Sequence, residues 1–160
     1  MFYILLAIIL KSQVFFSQTD GCLEQILKLI HSAKKEILVS TYTFTSREIT
    51  NALLEMKDKG ISIRIVLDGE QAETKFSKYE YIRKNNLPVR VTHYTKKGFL
   101  KPKMHHKFMV VDRSVVLTGS YNFTASAEKI NDENCVIIRD EPDVSEKFYK
   151  EFERLWKISE

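Results

Sequence analysis

The sequence predicts a single α/β domain, in which a mixed, largely parallel β-sheet is flanked by helices. Two observations support this prediction: the succession strand, helix, strand in the first half of the chain, and a composition of 44% hydrophobic and 29% charged residues. A strand, a helix and a second strand within about 30 residues form a unit whose strands are usually parallel. A chain of 160 residues builds one hydrophobic core.

The order of the elements follows from residue periodicity. Apolar residues repeat every three or four positions in some segments, and β-branched residues are concentrated in others. The predicted helices cover residues 22–34, 46–60, 71–84 and 144–158. The predicted strands cover residues 36–43, 61–67, 88–93, 108–111, 115–117 and 135–138. Ser46 is suited to cap the second helix and Gly60 to end it.

The charge balance favours an anionic partner without identifying one. The formal net charge is +4, and the calculated isoelectric point is near 9.0. Such an excess suits a nucleic acid or an acidic membrane surface. Four lysines lie in segment 94–103, which is predicted to be a loop. They are expected to form a solvated face, with contacts to phosphates beside a site as the alternative.

The two cysteines, Cys22 and Cys135, are far apart in the sequence and belong to no C-x-x-C pair. A structural zinc site is therefore not expected. Free, buried thiols are favoured over a disulfide. The ordinary apolar and charged fractions also argue against an intrinsically disordered chain.

Residues 1–20 are interpreted as a signal peptide or an N-terminal anchor, and residues 21–160 as the functional domain. Residues 2–10 form an unbroken apolar run, far shorter than the roughly 20 residues that cross a bilayer. The run has the length of a signal-peptide core, which predicts a periplasmic or secreted protein. No Lys or Arg precedes it and no A-x-A site follows. A buried first strand or helix, and a retained membrane anchor over residues 1–17, therefore stay open.

Seven residues at fixed spacing carry the chemistry of the chain. At average residue usage such a match would arise about once in a billion placements. The residues are His105, Lys107, Asp112, Gly119, Ser120, Asn122 and Glu133. Hydrolysis of a phosphodiester needs a nucleophile, cations or donors for the non-bridging oxygens, and an acid for the leaving oxygen. These residue types supply that set.

Strand alternation suggests a role for each residue. His105 and Lys107 are two positions apart, so they share one face of a strand. His105 can attack phosphorus while Lys107 neutralises the phosphate. Ser120 and Asn122 have the same spacing and can donate hydrogen bonds to the phosphate. Glu133 can hold the second ring nitrogen of the histidine and fix its tautomer.

This pattern resembles the phospholipase D signature H-x-K-x4-D-x6-G-S-x-N, with the trailing acid of its small nuclease members. From about residue 21 to residue 156 the chain is similar to the small secreted bacterial endonucleases of that superfamily. The mitochondrial cardiolipin hydrolase branch, which usually carries a zinc insertion that this chain lacks, is expected to be more distant. The resemblance implies a covalent phosphohistidine and no metal cofactor. It also implies a structural role for Asp112, the weakest of the catalytic candidates.

A single motif supplies only one of the two acid–base groups that the reaction needs, so the site of one chain is incomplete. Larger superfamily members carry two motifs in one chain, so a homodimer with the site on its two-fold axis is expected here. The favoured function is a metal-independent endonuclease that acts on DNA, and potentially RNA. The alternative is a phospholipase D that cleaves lipid head groups, which should expose an apolar rim near its pocket. A binding module without catalysis is disfavoured, since every motif residue is present.

Overall fold

The computed structural model describes residues 12–95, 98–99 and 101–160. A central β-sheet separates two layers of helices in these residues. The strands are β1 (Ser12–Phe16), β2 (Glu36–Thr41), β3 (Ser62–Asp68), β4 (Val89–Thr92), β5 (Lys107–Val111), β6 (Val115–Gly119) and β7 (Asn134–Ile138). The helices are α1 (Cys22–Ser32), α2 (Arg47–Asp58), α3 (Gly69–Ala72), α4 (Tyr79–Lys84), α5 (Ala125–Lys129) and α6 (Pro142–Ile158).

The sheet is mixed, as predicted, but its pairings are mostly antiparallel. The strand order is β1-β7-β6-β5-β2-β3-β4. Only the pairs β2–β3 and β3–β4 are parallel among the described strands. The expectation of a largely parallel sheet is therefore wrong. One of the four antiparallel pairs, β5–β6, follows from its turn, where Asp112 and Arg113 both have positive φ, 52° and 55°. Two such residues close a tight hairpin, and a hairpin joins antiparallel strands.

Both faces of the sheet are covered by apolar side chains, which alternate along each strand. On β2, Ile37 packs in the core beneath α1 and α2, whereas Leu38 packs in the core beneath α6. Phe152 and Leu155 of α6 are completely buried in this second core. The helix predicted over residues 144–158 is thus confirmed, and its apolar side chains belong to the core.

The predicted cap of α2 is confirmed, whereas the next predicted helix is divided in two. Ser46 Oγ accepts a hydrogen bond from Ile49 N at 3.2 Å, as expected of an N-cap. The single helix predicted over residues 71–84 is wrong, because α3 and α4 are separate. Lys78 N, between them, donates to the carbonyl oxygen of Phe44 at 2.9 Å, which ties the connection to a neighbouring loop.

The segment interpreted as a leader overlaps a described strand. Residues 12–16 form β1, which pairs with β7 in antiparallel register. Ser17 N then donates to the carbonyl oxygen of Glu133 at 3.0 Å. Residues 1–11, which hold the apolar run, lie outside the described residues, so a leader stays a prediction. No helix in the described part of the chain is long and apolar enough to cross a membrane.

One end of the sheet gathers the functional segments. Thr41 at the end of β2 pairs with Lys107 at the start of β5, and Gly119 at the end of β6 pairs with Cys135 near the start of β7. β3 also ends on this side, at Asp68, because it runs parallel to β2. We call this end the site edge.

Candidate active site

His105 and Lys107 are in direct contact at the site edge. Lys107 Nζ lies 3.1 Å from His105 Nδ1 and 3.3 Å from His105 Nε2. It also donates to the carbonyl oxygen of His105 at 2.8 Å. Lys107 opens β5 and is only 9% exposed, whereas His105 precedes the strand and is exposed. The structure thus brings together the two side chains that the spacing paired, although only one of them lies in a strand.

Tyr42, to which the sequence assigned no role, is the aromatic neighbour of His105. The two ring centroids are 4.5 Å apart and the rings are tilted by 54°. The Tyr42 hydroxyl oxygen accepts from Lys103 Nζ at 3.3 Å and from Gln71 Nε2 at 3.2 Å. The phenol is held from two sides, so its ring restricts the rotation of the imidazole.

Asp68 holds the backbone that precedes the histidine. Its carboxylate is buried and accepts from Met104 N at 3.0 Å and from Gln71 N at 3.2 Å. Tyr42 and Asp68 lie at the carboxyl ends of the parallel strands β2 and β3, where functional residues of α/β proteins collect. That rule is the signal by which both residues could have been found from the sequence.

Ser120 and Asn122 follow β6 and lie at the same edge. Ser120 Oγ accepts from Asn134 N at 3.0 Å, which leaves its own proton free for a ligand. Asn122 Oδ1 is buried and has no hydrogen-bond partner among the described residues. An unmet buried acceptor costs about 1–3 kcal/mol. Gly119 is required before them, since a β-carbon there would overlap the carbonyl oxygen of Asn134.

Glu133 lies at the site edge but does not hold His105. Its Oε1 accepts from Asn131 Nδ2 at 3.3 Å, and no hydrogen bond joins it to His105 among the described residues. The expected carboxylate–histidine bond is therefore not formed within one chain. Burial lowers the pKa of Lys107, and the Glu133 carboxylate partly opposes that shift. Glu133 thus acts on the site through the charge of the lysine.

Asp112 is absent from the site, which corrects its place among the catalytic candidates. It follows β5 at the opposite edge, about 17 Å from Lys107 at the rise of an extended strand. Its carboxylate accepts from Lys34 N at 2.8 Å, Lys35 N at 2.7 Å and Glu36 N at 2.9 Å. Asp112 therefore ties the α1–β2 turn to the β5–β6 hairpin, the structural role that the resemblance implies.

The electrostatics of the site favour a neutral imidazole. Burial lowers the pKa of His105 below its ordinary value of 6.5, and the Lys107 and Lys103 charges lower it further, while Asp68 opposes them. A histidine nucleophile attacks through a ring lone pair, which the protonated form lacks. At neutral pH His105 therefore has the protonation state that a nucleophile requires.

Two of the three remaining histidines lie away from the site. His106 faces away from the site, with its Nε2 3.2 Å from Glu151 Oε1. His31 Nε2 lies 3.3 Å from Glu55 Oε2, between α1 and α2. Within residues 12–95, 98–99 and 101–160, no group of three or more His, Cys, Asp and Glu side chains is placed to hold a metal ion.

The assembled motif and its sheet match a known family. The family described as "Cardiolipin synthase, PLD-like domain" matches residues 26–156. The chain belongs to the phospholipase D superfamily. It carries that superfamily's PLD-like domain, with the histidine, the lysine and the asparagine of the motif at one edge of the sheet.

Two named relatives of the superfamily extend beyond this chain. The mitochondrial cardiolipin hydrolase of Chlamydomonas reinhardtii is 31% identical over 143 residues, which are 89% of this chain and 61% of that protein. The phospholipase D of Rickettsia felis is 33% identical over 130 residues, which are 81% of this chain and 62% of that protein. The chain thus spans about three fifths of the length of these relatives.

A solved structure covers the chain almost completely. Nuc, a phospholipase D family member from Salmonella typhimurium, has a TM-score of 0.84 and 32% identity. The match covers 93% of this chain and 95% of Nuc, which confirms the predicted α/β class. The identities to Nuc and to the algal cardiolipin hydrolase differ by only one percentage point. The expectation that the hydrolase branch is more distant is therefore not supported.

Proposed function

We propose that this chain is a metal-independent endonuclease that hydrolyses DNA, and RNA as a further substrate, through a covalent phosphohistidine. The observation that carries the proposal is the contact of a neutral His105 with the buried ammonium group of Lys107. A nucleophile and a phosphate-binding cation thereby lie within 3.1 Å of each other. The free hydroxyl proton of Ser120 and the side-chain N–H groups of Asn122 complete the anion site as hydrogen-bond donors.

The reaction proceeds in two displacements at phosphorus. In the first, a ring nitrogen of His105 forms a bond to phosphorus, and the bond to the leaving oxygen breaks as that oxygen takes a proton. In the second, water attacks phosphorus, the nitrogen–phosphorus bond breaks, and the imidazole is released with a phosphomonoester as product. Lys107, Ser120 and Asn122 bind the non-bridging oxygens throughout, where negative charge accumulates.

While the attacking His105 is neutral, the proton donor of the first displacement is the protonated His105 of a second copy of the chain, which takes a proton back from the attacking water in the second displacement. One chain supplies a single motif histidine, so a two-fold axis beside it presents two. Phe16 and Ile130 lie next to the site edge and are 53% and 77% exposed. Apolar side chains that stand this far into solvent favour a partner surface at this edge. The proposed assembly is therefore a homodimer whose active site lies at the two-fold interface.

Charge favours nucleic acid as the substrate. Lys103 stands over the Tyr42 ring, with Nζ 5.7 Å from its centroid, and Lys101, on the same loop as Lys103, is paired with Glu70 of α3. Cations beside a phosphate site bind neighbouring phosphates of a polynucleotide. Lys96 and Lys97, the other lysines of this loop, lie outside the described residues. An exported protein, as residues 2–10 predict, would meet nucleic acid outside the cytoplasm.

A phospholipase D activity is the second candidate, and one observation favours it. Phe99, in the lysine-bearing loop, is fully exposed. An apolar tip beside cations suits an anionic lipid surface. The names of the Chlamydomonas and Rickettsia relatives point in the same direction. The active-site chemistry would be unchanged, because both substrates are phosphodiesters.

The test offers both substrates to one protein under metal-free conditions. The purified chain is incubated in excess EDTA with supercoiled plasmid, single-stranded oligonucleotides, and cardiolipin or phosphatidylcholine vesicles. His105→Ala should lower the rate on the true substrate by about 10³-fold or more. His106→Gln is the matched control, since the adjacent histidine faces Glu151, and it should retain activity.

The outcomes separate the candidates. EDTA-resistant cleavage of nucleic acid that His105→Ala abolishes supports the endonuclease. Release of lipid head groups without nucleic-acid cleavage replaces it with the phospholipase. Loss of all activity in EDTA contradicts the metal-free mechanism for either substrate.

A further inference from the structure

A cavity of about 370 Å³, separate from the catalytic residues, is lined by cations and polar groups. Its described lining residues are Arg47, Thr50, Asn51, Lys78 and Tyr81. Three of them belong to α2, whereas Lys78 and Tyr81 come from the start of α4. This lining contains no carboxylate and no aliphatic side chain. A cavity of this composition is suited to an anionic, polar ligand.

One wall of the cavity begins near the site edge of the sheet. α2 follows the site-edge end of β2, and Ser46 N, one residue before Arg47, donates to the carbonyl oxygen of Phe123 at 2.9 Å. Phe123 directly follows Asn122 of the motif. Through these links the backbone of Arg47 lies on the order of 10 Å from that of Asn122. The cavity is therefore a near neighbour of the phosphate site.

The two cations of the cavity are available to a ligand. Neither Arg47 nor Lys78 forms an ion pair with another described residue. The nearest acid in sequence, Glu48, accepts from Ser46 Oγ at 3.1 Å, and the charge of Arg47 acts on it without a close ion pair, as a lesser cause of its lowered pKa. Two cations in one cavity that form no close ion pair with a described residue attract a phosphate, which an arginine binds through a fork of N–H donors.

An aromatic surface accompanies the cations. Tyr81 lines the cavity and is 50% exposed. Its hydroxyl group makes no described hydrogen bond that would fix the ring against the protein. An exposed ring beside a phosphate site provides a stacking surface for an unpaired base.

We propose that this cavity is a second phosphate subsite, which holds a single-stranded nucleic acid one or a few nucleotides from the bond cut at His105. Arg47 and Lys78 bind a phosphate of the strand, and Tyr81 stacks on a neighbouring base. The proposal rests on the proposed endonuclease function. It also implies a preference for unpaired over paired strands, because a base inside a duplex does not present its face to the ring.

The lining favours a polynucleotide over a lipid. A lipid with two phosphates would satisfy the cations, but its acyl chains would find no aliphatic wall in the cavity. A polynucleotide satisfies the cations and the aromatic ring together. A lipid in this cavity is therefore an outcome that the experiment has to exclude.

The first experiment measures binding with cleavage disabled. In a His105→Ala background, the double substitution Arg47→Gln and Lys78→Gln is compared with Lys34→Gln and Lys35→Gln. The control removes the same charge from two exposed lysines at the opposite edge of the sheet. A labelled 12-nucleotide oligothymidylate is titrated at several salt concentrations. We expect the cavity variant to bind about tenfold more weakly and to lower the salt slope by about 0.7. The control should change the dissociation constant less than twofold.

The second experiment tests separately whether Tyr81 stacks on a base and whether the cavity acts only on substrates with more than one phosphate. Tyr81→Ala should weaken oligonucleotide binding at least about fivefold, whereas Tyr81→Phe, which keeps the ring, should bind like the parent. In the active protein, Arg47→Gln and Lys78→Gln should lower kcat/KM for the oligonucleotide more than for bis(p-nitrophenyl) phosphate, which has one phosphate. Thermal unfolding of each variant shows that it is folded.

The results distinguish the subsite from the activity on which it depends. If the cavity variant binds the oligonucleotide as tightly as the lysine control, the subsite is overturned, while cleavage by the wild type still supports the endonuclease. If the wild type neither binds nor cleaves nucleic acid, the proposed function itself has failed and the subsite falls with it. A cavity variant that loses hydrolysis of cardiolipin vesicles but keeps oligonucleotide binding identifies a lipid subsite and also overturns the proposal.

Discussion

The two ends of β5 differ in how far their polar groups are satisfied by the protein itself. At the start of the strand, Lys107 is buried and its pKa is lowered, and nearby Asn122 Oδ1 lacks a described partner. Just past its end, the Asp112 carboxylate accepts three backbone N–H groups. Arg113 donates to Glu36 at 2.6 Å in the same region. Groups at the site edge are kept available for a ligand at a cost in stability, whereas groups at the far edge are satisfied within the protein.

Removal of the site-edge cation should produce the largest effect and separate activity from stability. Lys107→Met deletes the group that neutralises the phosphate, so kcat/KM should fall about 10²- to 10³-fold. The free energy of unfolding should stay constant or rise, because the variant no longer buries an ammonium group. Steady-state kinetics and urea unfolding of the same preparation test both statements. A loss of stability that parallels the loss of activity would contradict the contrast between the two ends.

A substitution at the edge opposite the site should lower stability and leave activity almost unchanged. Asp112→Ala leaves three backbone N–H groups without their acceptor, so the free energy of unfolding should fall by about 2–4 kcal/mol. Well below the unfolding transition, the folded enzyme should keep kcat within a few-fold. Urea denaturation and activity at low temperature measure the two quantities. A loss of kcat in fully folded protein would show that Asp112 takes part in catalysis and would contradict its structural role.

If the active site is built from two site edges, one from each chain of a dimer, an inactive chain should inactivate its partner. When wild type and His105→Ala are unfolded together and refolded, random pairing should leave only wild-type homodimers active. Activity should then fall with the square of the wild-type fraction, because both displacements need two histidines. A linear decrease would indicate that one chain suffices. The same mixing with His106→Gln should leave the activity unchanged.

The smallest predicted effect is a shift in pH dependence. Lys103 helps to lower the pKa of His105, so Lys103→Gln should raise that pKa towards its ordinary value. In the pH profile of kcat/KM, the fall on the acidic side follows the protonation of His105 and should therefore move to higher pH. NMR titration of the His105 ring measures the same change directly. Lys101→Gln is the matched control, since Lys101 pairs with Glu70 and should leave that fall in place.

Much of the fold was predictable because it depends on local signals. The helix from Arg47 was marked by its Ser46 cap, and the strand–helix–strand unit gave the parallel pair β2–β3. The excess of antiparallel pairs was not predicted, because the pairs β1–β7 and β2–β5 join segments that are distant in the sequence. The interruption between α3 and α4 depends on the contact between Lys78 N and the Phe44 carbonyl, which no local pattern encodes.

The sequence by itself determined the chemistry of the site, because a spacing of two residues brings Lys107 to His105 whichever neighbours surround them. Only the tertiary structure decided which other residues join that pair. Tyr42 contacts His105, and Asp68 holds the backbone of the preceding Met104, because parallel strands end at one edge. Asp112 lies at the opposite edge because a strand separates it from Lys107. Contacts between distant segments depend on strand order and register, and the motif spacing specifies neither.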